Sequence, residues 1–271
     1  MTVMTAPVDA SAHAGKEAVV DATGKDRYGR PIDYRYINEE IRKAIAGGAK
    51  HVTVDGVMGQ RYIGSACSQK DLYIEVKGTP GNNLGAFLNG PTIEVFGNAQ
   101  DMTGNTMSSG RIVVHGNAWD VTGLAARGGR ILVKGNSGYR VGIHMKQFGT
   151  QVPTVVIGGR AGDYLGEYMA GGVILILGLD TPSEESPVGR SIGAGIHGGI
   201  IFVRGRVEEH QLGTGAAVKD LTDEDKAKLE DMVSDFERSF GVEVSHDWSE
   251  YTKVVPLSSR PFRGHFDPTP I

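Results

Sequence analysis

A period of 19 residues constrains this chain more tightly than any other feature. Gly78, Gly97, Gly116 and Gly135 are spaced by 19, and so are Gly85, Gly104, Gly123 and Gly142. Four and two residues ahead of the first set stand Ile74 and Val76, Ile93 and Val95, Ile112 and Val114, Ile131 and Val133. The pattern resumes after five extra residues with Val155 and Ile157 before Gly159, then Ile174 and Ile176 before Gly178. After eight more it closes with Ile201 and Val203 before Gly205, and Val52 and Val54 before Gly56 supply a unit in front. All sixteen positions of the two columns are β-branched aliphatics.

A fixed period near 20 signals a solenoid, in which each unit buries its face only by stacking on its neighbours. Helical repeats run longer, and glycine in a helix costs about 1 kcal/mol against alanine. Alternating β-branched residues ahead of glycine suit a short strand that ends in a turn with positive φ. Parallel crossovers are right-handed in nearly all cases. The sequence therefore predicts an all-β, right-handed parallel β-helix of about eight coils, with a capping helix at each end.

The flanks divide accordingly. Residues 1–33 lack periodicity and read as a flexible N-terminal arm. Residues 34–50 read as an N-terminal capping helix: Ile37, Ile41 and Ile45 share one face, Asn38 is placed to cap, and Gly47-Gly48 stops it. Such a helix covers an open sheet end that would otherwise aggregate. The coils occupy 51–206, with insertions near Lys146–Pro153 and Asp180–Gly189, the second an acidic, proline-bounded loop. Residues 207–271 carry a helix with Thr222 and Asp225 as its capping box and a stripe of Leu229, Met232, Val233, Phe236 and Phe240. A proline-rich docking tail through Tyr251, Val254 and Phe262 follows, and helix and tail are expected to cover the other end of the rod.

Composition narrows the function. A net charge of −4 gives no basic stripe to displace counterions from nucleic acid. One cysteine, Cys67, excludes a disulfide framework, and no apolar run spans a membrane. With no secretory h-region visible, a cytoplasmic protein is expected.

Polar columns offer few catalytic groups. Asn98, Asn117 and Asn136 each follow a column glycine, where stacked side chains can satisfy one another and the turn backbone. Asp101 and Asp120 would lie roughly 5 Å apart in neighbouring coils. They could share a cation, or each could bond its own turn backbone. Ser65, Cys67 and Ser68 lack a nucleophile elbow, and His115 and His144 occupy different column positions. The expectation is no catalytic, cofactor-binding or metal residue in this chain.

The motifs resemble the GXGXG domain that closes the large chain of glutamate synthase and also builds one of the chains of formylmethanofuran dehydrogenase. Gly59-Gln-Arg-Tyr-Ile-Gly, Gly85-Ala-Phe-Leu, Asn136-Ser-Gly, Gly166-Glu-Tyr-Met-Ala-Gly-Gly and Gly195-Ile-His-Gly-Gly-Ile fall in that order, over about residues 36–263. As a free-standing chain it is similar to the third subunit of archaeal-type glutamate synthases. The resemblance implies a scaffold and coupling subunit without chemistry of its own in a hetero-oligomer. A glutaminase (amidotransferase) subunit and a synthase subunit holding FMN and iron–sulfur clusters would be its partners, with no nucleic acid and no membrane. The GXGXG component of a formyl-transferring, formylmethanofuran dehydrogenase-like complex is the alternative, and a stand-alone hydrolase the third.

Overall fold

The computed structural model describes residues 15–182 and 184–258. Eleven strands form one sheet. Strand β1 (Lys16–Asp21) leads through helix α1 (Tyr34–Ala46) to β2 (Ala49–Met58). Strands β3 (Tyr73–Thr79), β4 (Asn89–Phe96), β5 (Ser109–Val114), β6 (Arg130–Val133), β7 (Thr154–Ile157), β8 (Ala170–Ile176) and β9 (Gly198–Arg204) follow in chain order. All these neighbours pair in parallel, the signature of a β-solenoid.

The 19-residue period is the register of that sheet. Ile74 pairs with Ile93, Ile93 with Ile112, and Ile112 with Ile131, each 19 apart, and Val52 joins the column by pairing with Ile74 across 22 residues. Val155, Ile174 and Ile201 continue the same column, so both insertions are looped out without a slip. A one-residue slip would turn each strand's apolar set outward, and the dry lumen forbids it. Both columns are buried to 1% exposure or less. Each such side chain stabilises the rod by about 1.5–3 kcal/mol. Eight strands, β2 to β9, leave seven intervals for returning arches, so the complete turns number slightly fewer than the eight units.

Each arch carries three left-handed positions spaced by two. Met102, Gly104 and Thr106 have φ of 62°, 71° and 54°, and Val121, Gly123 and Ala125 have 55°, 74° and 52°. The column glycines divide: Gly56, Gly178 and Gly205 have the expected positive φ, at 73°, 58° and 128°. Gly78 has φ of 117°, but Gly97, Gly116 and Gly135 are not left-handed. Close approach makes them glycines: a Cβ on Gly97 would strike the Gly78 carbonyl oxygen, and one on Gly135 the Asn117 amide oxygen.

Three flank expectations need correction. Residues 16–21 are not a free arm but a strand whose Val20 packs in the lumen core; residues 1–14 lie outside the described residues. Asp33, not Asn38, caps α1, accepting from the Arg35 amide at 2.8 Å. Asn38 is buried instead and donates to the carbonyls of Tyr34 and Arg61, tying the helix to the first arch. Ile37 and Ile41 enter the lumen core, so α1 does close that end.

At the far end the cap is a strand pair. Strand β11 (Tyr251–Pro256) runs antiparallel to β9, and β10 (Ala216–Lys219) antiparallel to β11. Helix α2 (Asp223–Phe240) forms with the Thr222–Asp225 capping box and ends at left-handed Gly241. It lies on the outer face of the sheet rather than over its end. Leu229, Met232, Val233, Phe236 and Phe240 pack there on Val113, Leu132, Val156, Leu175 and Phe202, a second core outside the lumen. The outward positions at the middle of β5 to β9, Val113, Leu132, Val156, Leu175 and Phe202, are apolar and need this cover. The tail beyond residue 258, with Phe262, lies outside the described residues.

Candidate functional site

The polar columns on the arches are occupied. The Asn98 side-chain oxygen accepts from the Asn117 amide at 2.8 Å, Asn117 from Asn136 at 2.7 Å, and Asn136 from Arg160 at 2.7 Å. The asparagines thus bond to the backbone of the next coil and not to one another. The aspartates repeat the device: Asp101 accepts from the Asp120 amide at 3.2 Å, Asp120 from Tyr139 at 2.8 Å, and Asp163 from Arg190 at 2.8 Å. Neither a shared cation nor a bond within one turn is needed to account for them. Asp101 and Asp120 line a shallow cleft of about 380 Å³ beside Trp119. Among the described residues no three His, Cys, Asp or Glu side chains come together as a metal site.

The candidate nucleophiles do not acquire bases. Cys67 is buried in the lumen core, and burial pushes its thiol above the ordinary range. The Ser65 hydroxyl reaches the Asn83 carbonyl at 3.5 Å, and Ser68 is exposed. His115 and His144 sit at different corners of the coil. His144 stacks on Tyr168 at 5.4 Å in the arches, while His115 follows β5 on the outer face of the sheet.

There His115 belongs to a cluster that sequence reasoning missed. Tyr73 donates to one carboxylate oxygen of Glu94, and His115 Nε2 lies 2.7 Å from the other. Glu94 and Tyr73 are fully buried. Burial, followed by the hydrogen bond to Glu94, pushes the Tyr73 hydroxyl far above its ordinary value. His115 stacks on Phe96 at 4.6 Å and meets the edge of Phe240 at 5.3 Å. The cluster therefore pins the end of α2 to the sheet. Farther along α2, Asp235 accepts two bonds from Arg111 (2.8 and 3.0 Å) and one from Arg130 (2.6 Å). Burial alone would raise the Asp235 carboxyl, but Arg111 and then Arg130 outweigh it and hold it below the ordinary range.

What the arches leave open is aromatic. Phe87, Tyr62, Tyr164 and Tyr168 are all exposed or half-exposed, and all take positive φ. Bulky residues there carry strain of order 1 kcal/mol each. Trp119 and Tyr139 are 55% and 53% exposed. The Arg140 guanidinium lies over the Tyr164 ring at 4.7 Å and pairs with Glu167 at 2.9 Å. The acidic insertion lies beside the end of β9, in a cleft it shares with Arg204, Arg206 and Glu250, and Glu185 pairs with Arg160 at 2.7 Å. Pro187 and Val188 at its end are buried, and Val188 re-enters the lumen core.

Comparison with known proteins gives the same frame. A family model described as the GXGXG motif matches residues 39–257. An uncharacterized protein of Methanocaldococcus jannaschii is 47% identical over 261 residues, covering 93% of this chain and 97% of that protein.

Proposed function

The chain belongs to the GXGXG motif family, and from that premise we propose that it is the scaffold and coupling subunit of a glutamate synthase-like complex. Its partners in this reading are a glutaminase subunit and a synthase subunit that holds FMN and iron–sulfur clusters. Together they would aminate 2-oxoglutarate with ammonia released from glutamine.

The exposed aromatic ridge carries the proposal. Polar side chains on the arches are committed to joining coils, while Trp119, Tyr139, Tyr164 and Tyr168 are exposed or half-exposed, the last two on a left-handed backbone. A surface of that kind holds a partner in fixed orientation at low entropy cost. Chemistry that needs two active sites at a set distance uses such a spacer.

Replacing Tyr164 and Tyr168 together by serine tests it. Both are about half exposed and give up only the Arg140 and His144 ring contacts, so the melting temperature should fall by no more than a few degrees. Capture of the purified amidotransferase and flavin subunits should fall at least tenfold, about 1.4 kcal/mol. Undiminished capture would remove the ridge from the interface. Capture of a molybdopterin or formyltransferase subunit in place of these two would favour the formyl-transferring alternative.

A further inference from the structure

The two ends of the eleven-stranded sheet differ. At one end β10 has four residues and closes with Lys219-Asp220. At the other, β1 has six residues, Lys-Glu-Ala-Val-Val-Asp, with neither proline nor glycine, and among the described residues no strand pairs with its outer edge. Of the usual guards of such an edge, proline and shortness are missing here and only charge is present, as Glu17 and Asp21.

The direction of its backbone groups follows from one bond. The Ala22 amide donates to the Asp55 carbonyl of β2 at 2.8 Å. Alternation along a parallel strand then turns the N–H and C=O of Ala18 and Val20 toward β2, and those of Glu17, Val19 and Asp21 away from it. The same three residues project their side chains to the outer face, where Val19 is 74% exposed and Glu17 and Asp21 are open to solvent. Beside them on β2 lie His51, Thr53 and Asp55, register partners of Glu17, Val19 and Asp21. His51 is 4.0 Å from Glu17, and Asp21 accepts from Thr23. Lys16 is turned to the Gly47 carbonyl. The edge thus presents acid, valine, acid at alternate positions, with Asp55 behind.

That pattern discriminates between occupants. A second copy pairing antiparallel about Val19 would set Glu17 against Asp21 of the other copy twice over. Like charges directly opposite destabilise a pair. A guest strand with a cation at each of two positions four apart and an aliphatic between them would instead meet Glu17, Asp21 and Val19 in register.

We propose that the outer edge of β1 is a strand-addition site for an extended basic segment of a partner protein, with Lys or Arg opposite Glu17 and Asp21. Main-chain bonds from Glu17, Val19 and Asp21 supply affinity, and the two carboxylates select the guest. The inference stands on the edge geometry and holds whichever complex the chain joins.

The probes are two blocked peptides, Thr-Lys-Thr-Val-Thr-Lys-Thr and its glutamate counterpart, added to the full chain labelled for amide hydrogen exchange and NMR. The lysine peptide should protect the amides of Val19 and Asp21 and lose affinity with added salt; the glutamate peptide should do neither. Val19→Pro removes an outward N–H together with the exposed valine side chain, at a position proline tolerates on an edge, and should weaken binding at least tenfold. The exposed double change Glu17→Lys with Asp21→Lys provides a second test and should invert the peptide preference. Equal binding of both peptides, an unaffected Val19→Pro variant, or no protection of either amide would each overturn the proposal. So would a dimer of the free chain that Val19→Pro dissociates, or binding seen only after residues 1–14 or 259–271 are removed.

Discussion

A substitution at Gly104 separates backbone strain from lumen crowding. Gly104 has φ of 71°, and a Cβ there would overlap Ile131 Cδ1 of the neighbouring coil. Gly123 has nearly the same φ, 74°, but its Cβ would meet Val155 Cγ2 at 3.0 Å, a contact a small shift relieves. Alanine at either site carries left-handed strain of about 1–2 kcal/mol. At Gly104 overpacking of a dry core adds about 1–3 kcal/mol. Gly104→Ala should therefore cost about 2–5 kcal/mol and Gly123→Ala about 1–2. Gly24→Ala is the control, because its Cβ would lie 3.4 Å from Ile32 Cδ1 and its φ is not left-handed. Ile131→Val deletes the offending methyl and alone costs about 0.5–1.5 kcal/mol. Combined with Gly104→Ala it should return most of the crowding, a coupling of about 1–2 kcal/mol. Urea midpoints followed by far-ultraviolet circular dichroism read all five proteins. Strict additivity of the pair, or equal costs at Gly104 and Gly123, would refute the stacked-arch register.

Three further outcomes follow from the same contacts. Asn98→Ala, Asn117→Ala and Asn136→Ala each remove one inter-coil bond and should cost alike, about 0.5–1.5 kcal/mol in thermal melts; a much larger loss at Asn117 would mean the side chains bond to each other. Asp235 has a depressed folded pKa, so its contribution is fully present above about pH 4, the unfolded value, and is lost as pH falls through the folded one. Undocking of α2, read by Trp248 fluorescence, should show an acid limb that Asp235→Asn makes shallower, with Asp225 supplying the remainder, while costing about 3 kcal/mol at neutral pH. Replacing Pro182–Ser186 by two glycines should leave the melting temperature unchanged and weaken assembly, whereas extending the change through Pro187 and Val188 should lower it.

The repeat was legible because in this fold the period is the register: Ile93, Ile112 and Ile131 are both a sequence pattern and a physical stack. β1 was not, because its connection to β2 passes through a helix and so carries no 19-residue spacing. The stripe on α2 announced a buried face without saying which surface receives it. The receiving positions, Val113, Leu132 and Val156, alternate with the lumen columns and were visible only as apolar letters. Tyr73, Glu94 and His115 are 21 residues apart in each step, two off the period, so no column pointed to them. The asparagine spacing was plain, but not that each oxygen serves the next coil's backbone.

The proposed role rests most directly on one assay. The purified amidotransferase and flavin subunits are mixed with glutamine, 2-oxoglutarate and a reductant, and glutamate is measured with and without this chain at equal stoichiometry. The scaffold reading predicts glutamate synthesis from glutamine only when this chain is present, while free ammonia supports the flavin subunit either way. Full glutamine-dependent synthesis in its absence would contradict it.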